Sequence, residues 1–265
     1  MIAAHRNHPS IISWGVGNEL NAQAGETLRY IEAALAYMRE LDGSRAANYV
    51  SNSFFEDAGR DGTVLGSFMM INEYTGTWMP DCDADEEIQK ILEAVPEKPL
   101  VPSEFGLCEP AFASGDARRE EIFREKMAVY RAYPAIAGTI NFCLNDYRTQ
   151  MGEAGEGKLR QRVHGSTSLG GEPKPSYWAV QEECAPFRLL WEKASMCFLC
   201  RKDLPCYTMR GYTAAFYDAE DRLIARRSIP VLHPGERWSP AVSRAKKITV
   251  SRPTGDCAGS FQAQV

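Results

Sequence analysis

The sequence is narrowed first by what it lacks. No stretch approaches the roughly 18 consecutive apolar residues that a membrane-spanning helix needs. The opening segment, MIAAHRNHPS, has no apolar core of a secretory signal. Neither sign of charge dominates: 30 basic against 35 acidic residues leave a net charge of −5. That balance gives no electrostatic reason to expect nucleic acid or an anionic membrane as a partner. No internal repeat and no low-complexity tail is present. The eight cysteines (Cys82, Cys108, Cys143, Cys184, Cys197, Cys200, Cys206 and Cys257) are scattered through a chain too large to need stapling. They read as reduced, partly buried thiols and lean slightly towards a cytoplasmic location, which the sequence otherwise leaves open. Cys197 and Cys200 form a lone C-x-x-C without the second ligand pair of a zinc site. His5 and His8 form an H-x-x-H pair with no third ligand. Neither metal nor cofactor is expected.

What is present is the composition of an ordinary globular protein, 44% hydrophobic and 25% charged over 265 residues. Two textures divide it. Up to about residue 185, short apolar runs alternate with longer amphipathic stretches. Ile11–Val16, Ala47–Ser51, Val64–Ile71, Pro99–Ser103 and Ile136–Leu144 read as buried strands. Gly25–Leu41, Asp85–Ala94 and Asp116–Ala132 read as helices. That alternation is the pattern of a parallel sheet covered by helices. A long polar loop, Asp146–Lys174, includes the GEAGEG stretch, and Tyr177–Glu183 reads as a further short helix. From about residue 195 the runs become short and alternating, with a hairpin turn at Asp218–Asp221 and a strand in Arg244–Pro253. The expected organisation is a barrel-type domain over 1–190 and a small β-sandwich over 195–265.

Chemistry is suggested by how the strands end. Ile11–Val16 runs into Gly17-Asn18-Glu19, Val64–Ile71 into Asn72-Glu73-Tyr74, and Leu100–Pro102 into Ser103-Glu104. Ile136–Leu144 contains Asn141 and runs into Asn145-Asp146. Catalytic residues of a (β/α) barrel sit at the C-terminal ends of its strands. An apolar run has no packing reason to end in a carboxylate, so two glutamates at strand ends suggest a paired-carboxylate hydrolase. Singly, each carboxylate reads as a solvated loop charge.

HRNHPSIISWGVGNEL (His5–Leu20) resembles the acid/base segment of glycoside hydrolase family 2, the β-galactosidase/β-glucuronidase family. KPLVPSEFG (Lys98–Gly106) resembles its nucleophile segment, and the order of the two agrees. GTINFCLNDYRTQ resembles the last barrel strand, and KPSYWAVQ the helix that follows. The resemblance covers about residues 1–185. It implies an α/β fold, a partial (β/α)8 TIM barrel of about strands 4 to 8, followed by an immunoglobulin-like all-β sandwich. It also implies a retaining exo-β-glycosidase that works by double displacement. Glu104 would be the ionised nucleophile that forms the glycosyl-enzyme. Glu19 would be the general acid/base. Asn18 would bond the sugar 2-hydroxyl, and Tyr74 would donate to Glu104, with Asn72 beside them. Asn145, Asp146 and Arg148 are candidates for the sugar-facing rim and, equally, for loop anchors. Trp14 reads as a core residue, and His164 as a surface loop histidine near the site.

The chain departs from the family in extent and in two details. A complete barrel takes about 250 residues, so a fragment of a longer protein is expected, and whether it is active alone is left open. The last-strand segment lacks the family's tryptophan, with Asn141 or Phe142 standing about there. The N-x-K motif by which glucuronidases grip the sugar carboxylate is not found in Asp146–Lys174, which makes β-galactosidase-like specificity the default. The expected partner is a carbohydrate, with a homo-oligomer possible for the full-length parent. Two alternatives remain: a non-catalytic carbohydrate-binding protein with a vestigial barrel, and an endo-acting relative of the cellulase or mannanase kind.

Overall fold

A computed structural model of the chain describes residues 1–107, 115–192, 195–242 and 244–262. Cys108 lies outside the described residues. After a single helical turn, α1 (Ile2–His5), the first unit (Met1–Ser176) alternates strand and helix. Its elements are β1 (Ser13–Asn18), α2 (Gly25–Leu41), β2 (Ala46–Ser51), β3 (Met69–Asn72), α3 (Ala84–Ala94), β4 (Leu100–Glu104) and α4 (Asp116–Ala132). β1 to β4 pair in parallel in chain order. Sequential parallel pairing is how a (β/α) barrel grows around its axis. The chain therefore folds as a partial TIM barrel followed by an all-β sandwich.

The apolar spacing explains the helices. In α2, Ile31 and Leu35 lie one turn apart, and both are buried against Ala22, Ala47 and Tyr49. α3 begins where the Asp83 carboxylate accepts from the amides of Asp85 and Glu86, with three acids in its first turn.

Three expectations about the elements need correction. Only the second half of Val64–Ile71 is strand. Gly62–Leu65 is instead a 3-10 turn, capped by Asp61 accepting from the Thr63 amide at 2.8 Å. Ile136–Leu144 is not a regular strand. It runs beside β4 in extended form, with the amides of Ala137, Ile140 and Phe142 donating to the carbonyls of Leu100, Pro102 and Phe105, each at 2.9 Å. This is the fifth rung of the barrel wall, bonded only at intervals. The polar loop Asp146–Lys174 carries a hairpin, β5 (Tyr147–Glu153) with β6 (Gln161–Arg162).

α5 (Pro175–Glu183) crosses into the second unit (Tyr177–Val265). That unit holds β7 (Phe187–Glu192), β8 (Ser195–Cys200), β9 (Thr213–Tyr217), β10 (Leu223–Ser228), β11 (Arg237–Trp238), β12 (Lys247–Ser251) and β13 (Cys257–Gln262). One sheet has the order β10-β9-β12-β13 and the other β11-β8-β7. Phe187, Phe198, Phe216, Ile248 and Val250 fill the space between the sheets as one core, the arrangement of a β-sandwich. The division falls before residue 190 because β7 pairs with β8 along its whole length and contributes Phe187 to this core.

Candidate active site

β1 delivers Glu19, β3 delivers Asn72 and Tyr74, and β4 delivers Glu104, all at C-terminal strand ends. The Glu19 amide donates to the Val50 carbonyl at 3.0 Å, which ties the end of β1 to β2. Glu19 itself has φ 53°, a left-handed conformation that side-chain-bearing residues seldom adopt and that is held only when the surroundings enforce it. Asn72 enforces it. Its Nδ2 donates to Glu19 Oε1 at 2.8 Å and to Asn18 Oδ1 at 3.0 Å. Asn72 Oδ1 is fixed in turn by Ser103 Oγ at 3.1 Å. A side chain of β3 thus reaches those of β1 across the intervening strand, as the concave face of a barrel wall allows.

On the other side of Asn72, the Tyr74 hydroxyl donates to Glu104 Oε2 at 2.7 Å. Burial raises the Glu104 carboxyl above its ordinary value. The hydrogen bond from Tyr74 lowers it, nearby Glu19 raises it again, and the Asn72 side chain lowers it. Both effects of charge and hydrogen bonding are those expected of two carboxylates sharing one site. After Phe105 the chain turns at Gly106, with φ 133°. A Cβ there would stand 2.9 Å from Asn141 Oδ1 and 3.0 Å from the Phe142 carbonyl, so glycine alone lets the last rung close in behind Glu104.

The remaining candidates separate. Asn145 and Arg148 are exposed. Asp146 is a correction: it is 5% exposed, and its carboxylate is fully engaged inside the loop. Lys174 Nζ and the Gly165 amide sit on Oδ1 at 2.7 and 2.8 Å, and Gln161 Nε2 on Oδ2 at 3.2 Å. That makes Asp146 the anchor of the hairpin rather than a rim residue. Trp14 is buried, donates from Nε1 to Asp42 at 3.0 Å, and lies under the Arg45 guanidinium, which is a core role. His5 and His8 stay on the surface with rings 5.6 Å apart, and no metal-holding group of three or more His, Cys, Asp or Glu occurs among the described residues.

His164 also needs correction, since it is 2% exposed rather than a surface residue. Its Nδ1 meets the Tyr147 hydroxyl at 3.3 Å, while its Nε2 is buried without a hydrogen-bond partner. Among the described residues, the buried side-chain polar atoms without a partner are that Nε2, Ser166 Oγ, Arg162 Nε and Arg119 Nε. Residues 162, 164 and 166 alternate along one extended segment, and Arg119 reaches the Val163 carbonyl from α4 at 2.8 Å. Such orphans are costly and rarely accidental. They gather one rung beyond Glu104: the Phe142 amide bonds the Phe105 carbonyl, and the Phe142 ring faces that of His164 at 6.2 Å. Burial, then Arg162 and Arg119, lower the His164 imidazole to about 4. Sequence inspection had no signal for this row beyond alternation in a polar stretch.

Residues 1–132 match the sequence model of the glycosyl hydrolases family 2 TIM barrel domain. Curated relatives include the β-glucuronidases of Homo sapiens and Canis lupus familiaris, each 29% identical over 113 residues, or 40% of this chain and 17% of theirs. Among solved structures, a GH2 β-galacturonidase from Eisenbergiella tayi bound to galacturonate aligns with TM-score 0.60 and 18% identity, over 69% of this chain and 34% of that one. The β-D-glucuronidase of Dictyoglomus thermophilum aligns at 0.59 and 19%, over 69% and 33%. These two are likenesses of fold. The chain spans 17% of the length of the curated relatives and about a third of the solved ones. With its parallel strands in barrel order, its carboxylates at their C-terminal ends and this match, the chain belongs to glycoside hydrolase family 2.

Proposed function

We propose that the first unit carries the acid/base and nucleophile of a retaining exo-β-glycosidase. The observation that carries the reading is the hydrogen-bonded set Glu19–Asn72 and Tyr74–Glu104 at the C-terminal ends of strands of one parallel sheet. In the first step a Glu104 oxygen attacks the anomeric carbon from the α face while Glu19 gives its proton to the departing oxygen. In the second, Glu19 takes a proton from water, which attacks the same carbon and releases Glu104 as carboxylate. Tyr74 and Asn72 offset the burial that disfavours an ionised Glu104. Asn18, held through Asn72, would bond the sugar 2-hydroxyl.

For the sugar, we favour a hexuronide over a galactoside. The named relatives are β-glucuronidases and a β-galacturonidase. Arg162, His164 and Ser166 carry buried polar atoms without a hydrogen-bond partner, the kind of group a sugar carboxylate would engage. They stand in the segment where no N-x-K motif is found.

The test is hydrolysis of aryl β-glucuronide, β-galacturonide, β-galactoside and β-glucoside by the 265-residue chain beside its Glu104→Ala variant. Turnover of a uronide that vanishes in the variant supports both parts of the reading. Turnover of the galactoside alone removes the uronide part. Silence across the panel from the folded chain, with sugar binding retained by calorimetry, overturns turnover by this chain alone and leaves an incomplete catalytic barrel and the non-catalytic alternative standing together.

The imidazole gives a second prediction. A carboxylate beside His164 favours its charged form, so free glucuronate should raise its titration from about 4, as followed by histidine NMR, and galactose should not. The same depressed value sets a stability slope. Between the unfolded value of about 6.5 and the folded value of about 4, the unfolded chain binds the extra proton. Stability therefore falls as pH falls through that window, and His164→Gln should flatten the slope.

A further inference from the structure

Glu73 lies between two residues of the site and takes no part in it. Strand alternation turns it away from Asn72 and Tyr74, and it is fully buried. Lys126 Nζ meets both its oxygens at 2.8 and 2.9 Å, the Tyr130 hydroxyl donates to Oε2 at 2.5 Å, and the Thr75 amide to Oε1 at 2.7 Å. The Thr75 hydroxyl also bonds Glu73 and Lys126. The Glu73 amide donates to the Glu104 carbonyl at 2.8 Å, so Glu73 is pinned on both sides.

Lys126 and Tyr130 are one turn apart on α4 and share a face of it. That face also holds the residue that follows Glu104. Phe105 is fully buried, stacked on Phe123 at 5.6 Å and edge-on to Tyr130 at 5.1 Å. One helix face is thus the mount for both partners of the Tyr74–Glu104 hydrogen bond: Glu73 fixes the chain just before Tyr74, and Phe105 fixes it just after Glu104. A lysine and a glutamate are costly to bury, and a hydrophobic pair would fill the same space at least as favourably. Fold stability alone therefore does not account for charges at these positions.

We propose that Lys126 and Tyr130, acting through Glu73, are positioning residues that hold the Tyr74 hydroxyl on Glu104. The inference rests on Glu104 being a working carboxylate of the proposed site.

The test is a mutant cycle read on the ionisation of Glu104, by carbon NMR of labelled glutamate carboxyls in the full chain, with the resonance assigned by its loss in Glu104→Gln. Tyr74→Phe removes the hydroxyl and should raise the Glu104 titration by about one pH unit, tenfold in its ionisation constant. Lys126→Met should give a comparable rise, and adding Lys126→Met to Tyr74→Phe should add nothing. Lys126→Arg should restore most of the original value. Where Lys126→Met does not fold, Tyr130→Phe keeps the ring against Phe105, removes only the hydroxyl, and should show the same non-additivity with Tyr74→Phe. An unchanged Glu104 titration in these α4 variants, or full additivity with Tyr74→Phe, overturns the proposal. The two readings fail differently. If Glu104 is not the nucleophile, turnover survives Glu104→Ala while the cycle stays non-additive. If the positioning is wrong, the cycle is additive while Glu104→Ala still abolishes turnover.

Discussion

Replacing Glu104 by alanine is expected to cut turnover of aryl β-glycosides by roughly 10⁵-fold or more, the scale on which a lost covalent nucleophile acts, and azide should restore part of it. The stereochemistry of the rescue distinguishes the two glutamates. In Glu104→Ala, azide occupies the place of the missing carboxylate and attacks the substrate from the α face while Glu19 still protonates the leaving oxygen. The product is an α-glycosyl azide. In Glu19→Ala, Glu104 still forms the glycosyl-enzyme from substrates with good leaving groups, and azide then attacks that intermediate from the β face, where no base is needed. The product is a β-glycosyl azide. Loss of Glu19 should cost about 10²–10⁴-fold with poor leaving groups and much less with good ones, because the proton matters only where the leaving oxygen needs it.

The geometry gives reason to expect this division of labour. Glu104 has its second oxygen held by Tyr74, and hydrogen bonds from Tyr74 and Asn72 offset part of the rise that burial and Glu19 impose on its titration. Glu19 is held by one amide from Asn72, which can serve either the protonated or the ionised acid. Rescue products of the same anomeric configuration from both variants, or rescue with reversed configurations, would contradict the assigned roles.

How much of this was legible in the sequence depended on whether the signal was local. α2 and α4 were readable to the residue because apolar spacing and flanking breakers define a helix within its own segment. The run Val64–Ile71 was not, since an apolar stretch has no period of its own. Its first half becomes a 3-10 turn through the Asp61 cap, and Lys98 crosses over to the carbonyls of Val64 and Gly66. The expected set Asn18, Glu19, Asn72, Tyr74 and Glu104 comes together because strand ends in a barrel converge whatever the loops do. Asp146 and His164 were misread for the opposite reason. A charged or polar residue in a glycine-rich stretch reads as solvated, and only the hairpin of β5 and β6, with Lys174 folding back onto it, buries them. Lys126 was invisible in the same way, as one cation on a strongly charged helix.

That buried cation yields the second large expected effect. Lys126→Met alone should cost about 3–5 kcal/mol, because it leaves the fully buried Glu73 carboxylate without its counter-charge. Glu73→Gln alone should be costly by the same argument, stranding an ammonium that is 7% exposed. The double variant should recover most of either loss. The glutamine carbonyl can still accept from the Thr75 amide while its NH2 group turns to donate to the Tyr130 hydroxyl oxygen, and methionine fills the stem volume of lysine without a charge to solvate. The loss should be read by native-state hydrogen exchange at the amides of β3 and β4, which reports the first unit without relying on a single transition for a chain of two units. A double variant as unstable as the sum of the singles would mean that the pair is not an isolated charge couple and that Thr75 or the α4 backbone carries the interaction. A double variant that regains stability, yet leaves the Glu104 titration displaced, would separate the two roles. That outcome would mean that the fold tolerates a neutral pair there, whereas the Tyr74–Glu104 contact needs the charged one.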